Sequence, residues 1–532
     1  MTVARSTNCA DSDDDDDPIT VTVIAILAVA GLDVTGRRHV RRRVRRDPRS
    51  TLSALTATDW NATAVASGAP DGTGFVDEPR PVATGMGGLW ALFAGLALMM
   101  VGNGLNGAVI GIRSTAEGFS VLVTGVVMAG YFAGFLLAPS LVVPRIPKIG
   151  HIRMFAGLAS TASSAVLIHS ISVVPLTWTL MRFVFGFCMA GLYIVIESWL
   201  GEMTDASNRG RTLAIYMIVS MGGLGIGQYL VAIGDPSGFQ LFVVSSVLVS
   251  MSLVPITLAA TTRQPVVTVP EPVSIRELIG VVPTGVVGSF MSGSAAGILL
   301  GLGAVYAARI GLTIERTGFF LVAPTIGAIV FQWPIGRLSD KIPRRRVIFA
   351  VAVVGSAVAA TMAVLPQGGL AVAGLMILLG GMMFPLYSLV VSYALDWTPD
   401  GKLVGASGTL IRINGAGALV GPLATAPLIS GFGSQWFFWA LSVVLGVIVV
   451  YVGFRIVFRE TKPLERQREF IPFPARAGAM AINLVINPVR RAATKSGMRP
   501  PAGPRGDERE HPSPITSEIY DGPAPVSPLD GD

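Results

Sequence analysis

A chain of 532 residues that is 51% hydrophobic and only 14% charged, with a mean hydropathy of +0.62, cannot keep most of its length in water. Its two cysteines, Cys9 in a polar tail and Cys188 in an apolar run, argue against a disulfide framework and a thiolate metal site. The formal net charge of +7 sits at the ends of apolar runs and not on a soluble face, which points to membrane lipid and away from nucleic acid as the partner.

Residues 1–86 are unlike the rest, with an Asp run (Asp13 to Asp17), a short apolar stretch (Ile19 to Leu32) and an Arg cluster (Arg37 to Arg46). The stretch is preceded by acid and is too short to span comfortably, so neither a signal peptide nor a thirteenth helix fits. These residues are expected to be disordered or untranslated, with Met86 as an alternative start directly ahead of the first strong apolar run.

From there the chain offers one run after another near the roughly 20 apolar residues that a bilayer core takes. Helices are predicted near Leu89 to Ile112, Val121 to Val143, Met154 to Val174, Leu176 to Leu200, Thr212 to Ile233 and Phe239 to Ala260. After a polar linker, 261–276, six more are predicted near Leu278 to Ala308, Thr317 to Ile335, Val347 to Leu365, Gly369 to Leu395, Val404 to Ile429 and Gln435 to Phe458. Two six-helix bundles, 87–260 and 277–458, are thus expected, followed by a basic, Pro-rich tail, 459–532. Within the tail, Ala475 to Ala493 reads either as a basic helix on the membrane surface or as solvated chain, and Pro500 to Asp532 as disordered.

Lys and Arg stay where they need not cross the bilayer. Arg145, Lys148 and Arg153 lie between predicted helices two and three, Arg209 and Arg211 between four and five, and Arg337, Lys341, Arg344, Arg345 and Arg346 around the turn between eight and nine. These loops share one side, which together with an even helix count places both termini in the cytoplasm and the chain in a plasma (inner) membrane.

The two halves repeat. Shifted by 193 positions, Gly118, Thr124, Gly125, Gly134, Lys148, Ile149 and Arg153 fall on Gly311, Thr317, Gly318, Gly327, Lys341, Ile342 and Arg346. At a shift of 194, Gly186, Tyr193, Ser198, Gly223 and Gly227 meet Gly380, Tyr387, Ser392, Gly417 and Gly421. A near-constant offset across six helices indicates duplication, and an even number of helices per copy makes the copies parallel, as in transporters whose halves rock about a central site. The expected fold is an all-α membrane protein of twelve transmembrane helices in two pseudo-symmetric six-helix bundles.

The segment GRLSDKIPRRR, from Gly336 to Arg346, matches the cytoplasmic loop signature Gly-x-x-x-Asp-Arg/Lys-x-Gly-Arg-Arg except that Pro343 replaces the second glycine; in the first copy Pro147 stands where the Asp should be. Together with MRFVFGFCMAGLYIVIESWL followed by GEMTDASNRGR, and QWPIGRLSDK at helix eight, it resembles the YcaD-like branch of the major facilitator superfamily. The resemblance implies a gating motif of Gly336, Arg337, Asp340, Lys341, Arg344 and Arg345, with Asp340 tying helix ends together in one conformation. It also implies that Arg182 assists proton coupling.

Read from the residues alone, Arg182 is a guanidinium in an apolar run, which faces either a cavity or the interface by snorkelling. Glu197, among Ile, Val and Trp, either exchanges a proton or pairs with Arg145, Lys148 or Arg211. Arg412 is a second intramembrane base, with Asp396 and Glu197 as candidate counterions. Asn103, Asn106, Gln228 and Gln332 are candidates to line a substrate cavity or to bond between helices, and Tyr193 and Tyr387 join them because they match across the repeat. No carboxylate–aromatic array marks a sugar or a cation.

No phosphate-binding Gly-x-x-x-x-Gly-Lys-Ser/Thr loop, HExxH or Cys/His cluster is present in the sequence, so no ATP, cofactor, metal or catalytic residue is expected. The expected function is a monomeric, proton-coupled secondary transporter of a small-molecule substrate; a receptor or scaffold that kept the fold is the alternative.

Overall fold

The computed structural model describes residues 86–204, 208–258, 273–365, 370–458, 467–468 and 470. The expectations for residues 1–85, for most of the linker and for Ala475 to Asp532 lie outside the described residues.

Twelve helices among the described residues are long and apolar enough to cross a membrane, and no strand is found there. They are α1 (Met86–Ala116), α2 (Val121–Val142), α3 (His151–Ile171), α4 (Pro175–Met203), α5 (Arg209–Tyr229) and α6 (Gln240–Met251), the last reaching spanning length only with the piece that follows it to Leu258, in the first half. The second half holds α7 (Pro283–Arg309), α8 (Ile314–Lys341), α9 (Arg344–Val364), α10 (Leu370–Trp397), α11 (Leu403–Phe432) and α12 (Trp436–Phe458). The end carrying the α2–α3 and α8–α9 turns is called the basic end, and the opposite one the far end.

Several boundaries differ from expectation: the eighth helix runs on to Lys341, carrying Gly336 to Lys341 of the motif, and two spans are broken. The seventh helix does not begin at Leu278: a short helix, Ile275–Val281, ends where Val282 takes φ −142 and ψ 65, and α7 starts afresh with Pro283, whose missing N–H suits the first turn. The sixth span is two pieces, because Ser252 separates α6 from Leu253–Leu258 and Pro255 then removes a donor from the ladder.

The duplication holds at atomic detail. Gly118 and Gly311 turn the chain at φ 76 and 74, and two residues later Ser120 and Thr313 accept from the main-chain N–H groups of Val123 and Arg316 to cap α2 and α8. A side-chain carbon at Gly134 would run into the Phe183 carbonyl, and at the matching Gly327 into that of Ile377. Gly186 is closed off in the same way by Tyr131, and its counterpart Gly380 by Pro324. The hydroxyls of Ser163 and Ser246 meet at 2.6 Å between α3 and α6, and those of Ser356 and Ser442 at 3.2 Å between α9 and α12.

These close approaches carry the packing, since lipid offers no hydrophobic drive between helices and backbone proximity replaces it. Gly134→Ala is therefore expected to lower stability by about 1–3 kcal/mol through overpacking. Gly157→Ala, where an added carbon meets nothing within 4 Å, should leave the melting temperature in detergent unchanged or higher.

Candidate functional site

The halves meet along a seam where α1 packs on α7, α2 on α11 and α5 on α8. Toward the far end the seam is closed by small residues: Gly111 lies against Ala304, Gly125 against Ala426, Gly225 against Thr325 and Gly318 against Ala232. Toward the basic end the walls part. A cleft of about 480 Å³ lies between α5, with Gly210, Ala214 and Met217, and α8, with Gln332, Trp333, Gly336 and Asp340.

Arg182 is 4% exposed, so it is sealed in and does not snorkel. Its Nη1 donates to Asn106 Oδ1 at 3.0 Å, and its guanidinium stacks on the Tyr131 ring with 4.8 Å to the centroid. Asn106 reaches it because α1 crosses the bundle beside α2 and α4; Asn103, one turn earlier, is buried with its Nδ2 unpartnered among the described residues. His169, whose Nδ1 bonds the Ala165 carbonyl, stands within electrostatic reach of Arg182.

Glu197 is fully buried and accepts from the Tyr216 hydroxyl of α5 at 2.7 Å. Tyr193 and, from the other half, Tyr387 lie within electrostatic reach of this pair. The Tyr193 hydroxyl points to the Met100 sulfur of α1. One tyrosine thus bonds the carboxylate, and two more lie in its wider electrostatic surroundings. Arg145, one of the partners weighed for Glu197, donates instead to the Leu141 carbonyl of its own turn at 2.6 Å.

The motif residues gather at the basic end of the second half. Arg344 is 1% exposed at its side chain and pairs at 2.6 Å with Asp396, itself 1% exposed, on α10. Asp340, 42% exposed, stands 3.4 Å from the same guanidinium. Arg345 donates to the Tyr393 hydroxyl and to the Arg455 carbonyl of α12, each at 2.9 Å. Arg337 stacks on Trp333, Lys341 is exposed, and Gly336 is covered by the Phe470 ring. Asp396 therefore belongs to Arg344, which corrects its assignment as a counterion of Arg412. The latter is exposed on α11, beside a small crevice shared with α2 and α4. Gln332 donates to Ser388 at 3.1 Å and keeps its Oε1 unpartnered among the described residues, as Gln228 does.

Tyr216, Tyr131 and His169 were not singled out from the sequence. The repeat holds the signal. Set against the second copy, Arg182 and Asn106 fall on Met376 and Leu299, while Glu197 and Tyr216 fall on Val391 and Leu410. Positions where one copy is polar and the other apolar mark the buried networks. Nothing in the sequence marks Arg468 or Phe470, which bond Asp396 and Asp340 through their main chain.

Twelve membrane-spanning helices in two repeated halves, with buried ionisable groups beside the seam, define the class of the polytopic membrane transporters. The Major Facilitator Superfamily model matches residues 285–494. The uncharacterised MFS-type transporter YcaD from Escherichia coli O6:K15:H31 (strain 536 / UPEC) is 29% identical over 354 residues, which are 65% of this chain and 90% of that one. The same figures hold for YcaD of Escherichia coli K12 / DH10B. Among solved structures, nucleoside transporter NupG is 12% identical with a TM-score of 0.57, covering 70% of this chain and 99% of that one. A bacterial homologue of the human lysosomal transporter Spinster, inward-facing and unoccupied, is 15% identical with a TM-score of 0.52, covering 72% and 97%. A Major Facilitator Superfamily match thus covers much of the second half, and over 65% of its length the chain is similar to the YcaD-like transporters.

Removing Asp396 would take the buried counterion from Arg344 and leave it only the exposed Asp340 and the Arg468 carbonyl, so Asp396→Ala is expected to cost about 3 kcal/mol, read in thermal unfolding of the purified protein. Asp340→Ala, at an exposed partner of the same arginine, should cost under about 1 kcal/mol.

Proposed function

We propose that the chain is a secondary transporter that moves a small solute across the inner membrane by alternating access, with protons as the coupling ion. The observation that carries this reading is the seam, which small residues close at the far end and a cleft parts at the basic end. That is the geometry of two bodies able to rock about a shared axis. With the basic loops in the cytoplasm, the far end faces outward and the cleft inward.

The buried amides at Asn103, Gln228 and Gln332 support a polar solute at the seam. An unsatisfied donor or acceptor costs about 1–3 kcal/mol when buried, and a bound solute that completes these bonds recovers it. Glu197 is the proton carrier in this reading. It is a fully buried acid, its Tyr216 partner lies on α5, one wall of the cleft, and Tyr387 of the other half lies within electrostatic reach, so rocking changes its surroundings. Arg182 and its Asn106 partner hold α4 to α1 toward the far end, and Arg412 supplies positive charge at the crevice between α2, α4 and α11. Asp340 and Arg344 act as the gate latch on the cytoplasmic side.

Reconstituted vesicles test both roles. With Glu197→Gln the side chain is held neutral, so transport should lose its response to an imposed pH gradient while solute exchange persists; a retained response removes Glu197 from coupling. Asp340→Ala should insert and fold normally yet transport several-fold more slowly, and full activity in that variant would refute the latch.

A further inference from the structure

Arg468 and Phe470 follow the last membrane helix in the chain yet lie against the basic end of α8 and α10. The main-chain N–H of Arg468 donates to Asp396 Oδ1 at 2.9 Å, its carbonyl accepts from Arg344 Nη2, and its own guanidinium donates to the Thr398 carbonyl at 3.4 Å. The N–H of Phe470 donates to Asp340 Oδ1 at 2.8 Å. Two of these anchors, Arg344 and Asp396, are themselves a buried pair, so the attachment is to a fixed part of the second half.

The attachment delivers an aromatic ring to one place. Phe470 covers Gly336 so closely that a methyl group there would stand 2.5 Å from two ring carbons. The ring then forms part of the wall of the cleft, whose opposite wall is α5 of the first half, at Gly210, Ala214 and Met217. Closing the basic end means removing this cleft, because packed protein interiors tolerate few voids larger than a water molecule. A ring tied to one wall occupies space that closure needs.

We propose that Phe470, anchored together with Arg468, is a wedge that holds the basic end open and must leave the cleft before the halves can rock. The proposal rests on the alternating-access reading and adds to it a built-in brake. Asp340 is then shared between two uses: it anchors the wedge through the Phe470 N–H and neighbours Arg344 in the motif. Both contacts use Oδ1, so release of the wedge leaves that oxygen to Arg344 alone.

The test is a pair of distances measured by electron spin resonance on the full chain in lipid nanodiscs. Cys9→Ser removes one thiol, and Cys188, 1% exposed, stays hidden from the label. Labels at Ser237→Cys and Glu315→Cys report the far end; labels at Lys148→Cys and Arg346→Cys report the basic end, all at exposed positions. In the parent protein the far-end distance is expected to be predominantly short. Phe470→Ala, which deletes the ring, and Gly336→Ala, whose methyl displaces it, should each raise several-fold the population with a long far-end and a short basic-end distance. Distributions that match the parent in both variants overturn the wedge. If the parent itself populates both states, that result leaves alternating access standing while the wedge falls; if no variant ever shows the second state, both readings fall.

Discussion

Close approach of backbones is the constraint on which the rest of this molecule depends. In a bilayer an apolar helix gains nothing by leaving lipid for another apolar helix, so association relies on contact area and on short-range attraction. Gly134 against Phe183, Gly186 against Tyr131 and their counterparts Gly327 and Gly380 bring pairs of helices to distances that no side chain allows. Once those crossings are fixed, Asn106 lies within reach of Arg182, and Tyr216 within reach of Glu197. The polar networks are consequences of a glycine frame.

The frame is symmetric and the charges are not. Caps, turns, glycine contacts and serine pairs recur at an offset of 193 or nearby, yet the buried charges Arg182, Glu197 and Arg344 have no charged counterpart of the same kind in the other copy. Arg182 and Glu197 belong to the first half, opposite Met376 and Val391; Asp340 and Arg344 belong to the second, opposite Pro147 and His151. His151 keeps a smaller version of the second-half contact, meeting Ser198 at 3.0 Å. The buried Arg182 and Glu197 lie in one copy and the buried Arg344–Asp396 pair in the other, so the two halves carry different ionic networks on a shared scaffold.

What the sequence made legible follows the same line. Twelve spans, their order and the duplication were readable because lipid demands long apolar runs and the repeat aligns glycines with glycines. Breaks at Val282 and Ser252 were hidden because hydropathy continues across them and only the backbone changes. Arg412 and Asp396 looked like partners because both are charges near the same apolar runs; three-dimensional placement gives Asp396 to Arg344 on the neighbouring α9. Tyr216 escaped because a tyrosine in an apolar helix is ordinary, until its counterpart Leu410 is set beside it. The contacts of Arg468 and Phe470 run through main-chain N–H groups, which every residue but proline has, so composition carries no trace of them.

The serine pairs have a mechanical consequence. Ser163 with Ser246 and Ser356 with Ser442 fasten α3 to α6 and α9 to α12, helices that stand behind those lining the seam. Each half is therefore braced at its rear as well as along its front, like a lever stiffened along its back edge. The fastening lies at mid-helix in both copies and resists the splaying of a single outer helix from its bundle.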